Sequence, residues 1–166
     1  MTLDELNALP EEQAAARFRD CCAAERWVQG MVAGRPYADA EALFARCRSL
    51  WPQLTEQDWL DAFEAHPQIG DIDSLRAKYA NTRAMASGEQ AGATGAPEAV
   101  LQRLKAGNDA YLDRFGFIFI VCASGKSAAE MLAMLEARLT NTRAEEIANA
   151  AREQARITEL RLEKLL

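Results

Sequence analysis

Histidine is almost missing from this sequence, with His66 the only one in 166 residues. Metal chemistry is poorly supplied as a result. One imidazole and four cysteines (Cys21, Cys22, Cys47, Cys122) offer no closely spaced ligand pair beyond the adjacent Cys21 and Cys22. Those cysteines have neither the density nor the spacing of a disulfide scaffold, so a reducing compartment, the cytoplasm, is expected. Positive charge is also short: 19 Lys and Arg stand against 25 Asp and Glu, for a net charge of -6. Binding to nucleic acid depends on basic side chains that neutralise phosphates, so nucleic acid is excluded as a partner. No apolar run approaches the roughly 18 to 20 residues that span a bilayer. Met1 to Pro10 is acidic rather than basic and then apolar, as an export signal would be. A soluble, unsecreted protein without membrane contact is expected. Glycine signatures are missing too: there is no Gly-x-Ser-x-Gly elbow and no dinucleotide fingerprint. Gly125-Lys126-Ser127 resembles the end of a phosphate loop, but the glycine required five positions earlier is Ile120. No cofactor and no metal are expected.

With 49% hydrophobic and 27% charged residues, the chain has the make-up of one globular domain over residues 1–166 with a single sizeable core. Ala, Leu, Glu, Arg and Gln dominate and β-branched residues are few, which predicts an all-α fold, a single-domain bundle of about eight to nine helices. Thr2 with Glu5, Ser127 with Glu130 and Thr142 with Glu145 have the spacing of capping boxes. Helices are expected near 2–8, 11–33 with a break, 38–50, 55–65, 72–79, 82–91, 97–115, 127–139 and 142–165. The breaks fall at Gly34-Arg35-Pro36, Trp51-Pro52, His66-Pro67, Gly92 to Pro97 and Gly116. One stretch, Phe115 to Cys122, is apolar apart from Gly116 and follows no helical period. A lone strand would lack a partner, so buried extended or helical backbone is expected there.

Three charged or titratable residues lack an obvious local explanation. Pro67 disfavours α conformation at His66, so the preceding helix should end there and leave the imidazole at its negative end. That position suits proton transfer near neutrality, and it equally suits a capping or satisfied core histidine. Glu89 has Met85, Ala86, Gly92 and Ala93 at three and four residues, none of them basic, so it either faces water or meets a distant partner. Arg161 has Ile157, Thr158, Lys164 and Leu165 at those spacings. It either grips a carboxylate from the fold or a ligand, or runs its stem along core leucines. Arg156, by contrast, has Glu153 and Glu159 in range. Asn108, Tyr111, Arg114 and Phe115 share one side of a helix, as core and helix-end residues do, and Trp27, Trp51 and Trp59 read as core aromatics.

Several stretches taken together resemble the 2-oxo-4-hydroxy-4-carboxy-5-ureidoimidazoline (OHCU) decarboxylases of uric acid breakdown. The resemblance rests on Phe63-Glu64-Ala65-His66-Pro67-Gln68-Ile69-Gly70-Asp71 and Ser87-Gly88-Glu89-Gln90-Ala91-Gly92. It continues through Asn108 to Tyr111, Arg114 to Ala123, Leu135 to Asn141, and Arg161-Leu162. It implies an all-α fold, no cofactor, and conversion of OHCU to (S)-allantoin. His66 is implied as the acid/base residue with Glu89 and Arg161 as its partners. Pro67, Ala86, Ser87, Gly88, Gln90 and the run Phe119, Ile120, Val121, Cys122, Ala123 are implied to line the substrate. Two positions depart from the pattern. The family often has Arg or Lys at the place of Gln68, and a serine where this chain has Ala86, with Ser87 one place later.

The chemistry is compatible with these residue types. The departing carboxylate of OHCU sits beside a ring C=N, so the electrons left by CO2 flow into that π system without a metal or pyridoxal. The protein needs to orient the carboxylate, stabilise the intermediate and deliver a proton to one face. In this reading His66 moves the hydroxyl or carbon proton, and Glu89 orients the imidazole and binds ureido N–H groups. Arg161 grips an anionic oxygen, and Gln90 offers both donor and acceptor to the ureido group. On the residues alone, a non-catalytic helical scaffold and a cofactor-free enzyme of another cyclic ureide stay open, as does assembly into a homodimer.

Overall fold

In the computed structural model, which describes residues 1–67, 73–75, 77 and 98–166, the helix starts lie where side chains cap them. Thr2 opens α1 (Leu3–Ala8) with a complete capping box, and Asp39 caps α4 (Ala40–Leu50) by accepting from the amide of Ala42. Thr55 and Asp58 form a second box at α5 (Glu56–Glu64), and Ser127 with Glu130 a third at α7 (Ala128–Arg138). Thr142 and Glu145 exchange the same two bonds at the head of α8 (Arg143–Leu165). Each box satisfies amides that the first helical turn leaves without partners. The expected break within 11–33 falls at Cys22 to Ala24, between α2 (Glu11–Cys21) and α3 (Glu25–Ala33). A short 3-10 turn, Trp51–Gln53, follows α4, and α6 is Glu98–Phe115. The fold is all-α, with eight α-helices and no strand among the described residues. Of the helices expected near 72–79 and 82–91, only 73–75 and 77 are described, and they are helical. Among the described residues no helix is long and apolar enough to cross a membrane.

The chain divides into two compact units. The first comprises Met1–His66 and Ala151–Leu166. Its core holds Leu6, Phe18, Trp27, Val28, Met31, Leu43, Phe63 and Leu162, all fully buried. Phe18 and Trp27 meet edge to face with centroids 6.1 Å apart, a favoured aromatic geometry. Arg35 donates to the carbonyls of Leu6 at 2.9 Å and Leu9 at 2.7 Å, supplying the cation that the C-terminus of α1 attracts. Trp51 and Trp59 are anchored by their indole N–H groups, to the carbonyls of Ala151 and Trp51.

The second unit is Pro67–Ala150. Here α6 lies against α7 at close range, because a Cβ on Gly107 would come within 2.6 Å of Leu135 Cδ2. Gly116, at φ +81°, ends α6 in a conformation that a side chain disfavours. Beyond it Tyr111, Phe115, Phe117 and Phe119 form one aromatic cluster, with Tyr111 4.5 Å from Phe115 and 5.4 Å from Phe119.

Candidate active site

His66 emerges as the sequence implies, one residue past the end of a helix. α5 stops at Glu64, Ala65 caps it, and the His66 amide still reaches back to the Phe63 carbonyl at 3.1 Å. The imidazole is half-buried. Its Nε2 lies 2.5 Å from Gln154 Oε1, and the Gln154 amide nitrogen donates to Thr158 Oγ1 at 3.1 Å. Gln154 and Thr158 are 1% and 2% exposed, so no water competes for these bonds.

Arg161 lies on the same helix face, since 154, 158 and 161 follow one another by four and three residues. Its guanidinium is exposed and donates once, to the Cys21 carbonyl at 3.3 Å, where it complements the C-terminus of α2. Among the described residues no carboxylate pairs with it. One of five N–H donors is used, and in a planar fork the rest suit an anionic oxygen. Gln154 and Arg161 are seven residues apart, which is about 10 Å along a helix. Arg161 and His66 therefore belong to the same unit, with Arg161 on the face of α8 that carries the His66 partner Gln154. Arg156 pairs with Glu153, as its spacing implies.

In the second unit, Pro67 is exposed, and Phe119 to Ala123 run without regular secondary structure. The side chains of Phe119, Ile120, Val121 and Cys122 are buried. Of the apolar stretch Phe115 to Cys122, Phe115 still belongs to α6 and the residues after Gly116 are irregular. Among the described residues, the peptide N–H and C=O groups of Phe119 and Val121 have no hydrogen-bond partner. Peptide groups outside regular secondary structure keep donors and acceptors that a polar ligand can meet.

The segment is held by a buried ion pair. Arg138 donates to the Ile120 carbonyl at 2.8 Å and to Glu146 Oε1 at 2.6 Å. Tyr111 donates to the same carboxylate at 2.6 Å, and Asn141 and Asn149 to its other oxygen at 2.9 and 2.7 Å. The guanidinium also lies 4.6 Å from the Phe119 ring centroid, within cation–π range. Burial by itself pushes the Glu146 carboxyl up, but the four hydrogen bonds outweigh it and hold the group below the usual carboxylate range. Burial and the bond to Glu146 push the Tyr111 phenol up, so it stays a proton donor.

Ala86, Ser87, Gly88, Glu89 and Gln90 lie outside the described residues, as does Gln68. Sequence reading missed Gln154, Thr158, Arg138 and Glu146. A signal was available. The buried positions Ile147, Ala150, Ala151 and Leu162 define the inner stripe of α8, and Glu146, Gln154 and Thr158 fall on it. Tyr111 was read only as core, yet its hydroxyl belongs to the ion-pair network.

Comparison with known proteins relates both units to one group. The family model described as OHCU decarboxylase matches residues 7–163. The chain is 39% identical over 149 residues to the uric acid degradation bifunctional protein TTL of Arabidopsis thaliana, covering 89% of this chain and 46% of that protein. It thus spans about half the length of that relative. It is 25% identical over 166 residues to a 2-oxo-4-hydroxy-4-carboxy-5-ureidoimidazoline decarboxylase of Halalkalicoccus jeotgali, covering 99% of this chain and 92% of that one. A crystal structure of OHCU decarboxylase in the presence of (S)-allantoin superimposes with a TM-score of 0.71 at 36% identity, over 95% of this chain and 98% of the other. The match in sequence and in fold runs through the His66 and Arg161 helices and the Phe119–Ala123 segment alike, and the chain belongs to the OHCU decarboxylase family.

Proposed function

We propose that this protein decarboxylates OHCU to (S)-allantoin in uric acid breakdown, with no cofactor. The observation that carries the reading is the family match over residues 7–163, which takes in both units and supports one working domain. His66 is the proton-transfer group, placed at a helix end and held by a buried amide. Arg161 supplies a guanidinium for an anionic oxygen of the substrate. Glu89 is its acidic counterpart, orienting or charging the imidazole. Pro67, Ala86, Ser87, Gly88 and Gln90, with the segment Phe119, Ile120, Val121, Cys122 and Ala123, bind the substrate. The backbone groups of Phe119 and Val121 suit the ring and ureido amides, because a cyclic ureide presents alternating N–H and C=O groups.

Loss of CO2 leaves an electron pair that the adjacent C=N absorbs, and the carbon then takes one proton from a single face. Protein dipoles fixed before the reaction stabilise the developing charge at no reorganisation cost. The four buried thiols, none of them in a disulfide, fit a cytoplasmic setting. A small molecule is the partner, and the working unit is a monomer or a homodimer, which sedimentation distinguishes. Freshly generated OHCU is the test substrate, followed by CO2 release and by the circular dichroism of the allantoin formed. A rate no faster than the spontaneous reaction sinks the proposal. His66→Asn is expected to abolish turnover with the helical spectrum intact, and Arg161→Ala to raise KM more than it lowers kcat.

A further inference from the structure

The sole histidine is held by a side chain with little freedom of its own. Gln154 sits on the inner stripe of α8, 1% exposed, and its amide is bonded at both ends: Oε1 faces His66 Nε2 at 2.5 Å and Nε2 faces Thr158 Oγ1 at 3.1 Å. Thr158, 2% exposed, lies one turn further along the same helix and also meets the Cys22 thiol. A carboxamide oxygen can only accept, so an imidazole nitrogen this close to it must carry a proton. The amide is neutral. It therefore orients the ring without adding charge, unlike the carboxylate that backs a histidine in hydrolase triads.

We infer that Gln154, oriented by Thr158, is a positioning residue that holds the proton of His66 on Nε2 and so turns Nδ1 toward the proton exchange of the reaction. The assignment of tautomer stands on geometry alone, and its catalytic consequence rests on the proposed role of His66. Neutral imidazole in water populates both tautomers, so a site that left the ring unsupported would present the reacting nitrogen in the wrong state part of the time. Outer partners of metal-bound histidines typically contribute ten- to a hundred-fold, and a loss of about that size in kcat is expected for this metal-free one. KM should stay within about twofold, because Gln154 does not touch substrate in this scheme.

One imidazole per chain makes the test direct. With 15N-histidine labelling, a long-range proton–nitrogen correlation of the intact protein should show Nε2 as protonated and pyrrole-like. Gln154→Leu should give a mixture of tautomers and the drop in kcat, whereas Gln154→Glu, which retains an acceptor oxygen, should restore the Nε2–H form. Should Gln154→Leu fail to fold, Thr158→Val removes the acceptor that sets the amide and should give a partial shift in the same direction. A wild-type spectrum with Nε2 bare, meaning the amide is turned over, overturns the inference. So does a Gln154→Leu protein, or in its place Thr158→Val, with unchanged tautomer and unchanged kcat. The readings fail separately: a His66→Asn variant with full turnover would remove the catalytic role while leaving the tautomer spectrum as stated.

Discussion

Replacing Glu146 with glutamine changes one charge and almost no volume, in a place where the structure makes that charge expensive to lose. The carboxylate is fully buried and accepts four hydrogen bonds, from Arg138, Tyr111, Asn141 and Asn149. After Glu146→Gln, Arg138 remains 8% exposed with no counter-charge, and the new amide N–H groups confront donors instead of acceptors. Leaving a buried charge uncompensated costs about 3–5 kcal/mol. For a chain of this length each kcal/mol is worth about 2–4 °C, so a fall of roughly 10 °C or more in melting temperature is expected. Urea unfolding followed at 222 nm gives the free energy, with an unchanged slope showing that stability rather than compactness has moved. The double variant Arg138→Met, Glu146→Leu should lose less than the two single losses added, because it removes both charges together. The pH dependence has a definite sign. Glu146 is held below its unfolded value, so its contribution is full above the unfolded carboxyl range and disappears as pH falls through the lower folded value. The gap between wild type and Glu146→Gln should therefore narrow on acidification. A single-variant cost below about 1 kcal/mol, or strict additivity in the double variant, would refute the reasoning.

Arg138→Lys keeps the charge opposite Glu146 but gives up the fork that also holds the Ile120 carbonyl, so it should raise KM several-fold with a smaller change in kcat. Steady-state kinetics on OHCU checks this, and an unchanged KM would separate the buried pair from substrate recognition. Burial pushes the Cys21 thiol to about 11 and the Cys47 thiol to about 12. At pH 8 Cys21 is thus roughly one-thousandth thiolate, so labelling of Cys21 and Cys47 by a disulfide reagent should await unfolding, and fast labelling of the native protein contradicts it. Ser127→Ala removes the hydroxyl that caps α7 and should cost about 1 kcal/mol in the same urea assay.

The helices were legible in the sequence because their signals are local. A hydroxyl and a carboxylate three residues apart suffice to start α1, α7 and α8, and Pro67 suffices to end the helix before His66. Gly116 likewise marks its own turn. His66 and Arg161 stood out by what their neighbours lacked, and the order of the motifs supplied the family. None of this named the groups that hold them. Gln154 meets His66 from 88 positions away, and Arg138, paired with a carboxylate on another helix, donates to the Ile120 carbonyl. A polar residue on a buried stripe announces that it needs a partner, but periodicity carries no record of which distant residue supplies it. The irregular course of Phe119 to Ala123 was open for the same reason: an apolar run buries equally well as helix or extended chain, and the choice was made by Arg138 on one side and the Tyr111 aromatic cluster on the other. Among the described residues, the sequence by itself determined that helices begin after Thr2, Ser127 and Thr142, and that one imidazole lies at a helix end. Only the tertiary structure decided that Gln154 meets Nε2 of that imidazole, because packing brings the two together across 88 positions of the chain.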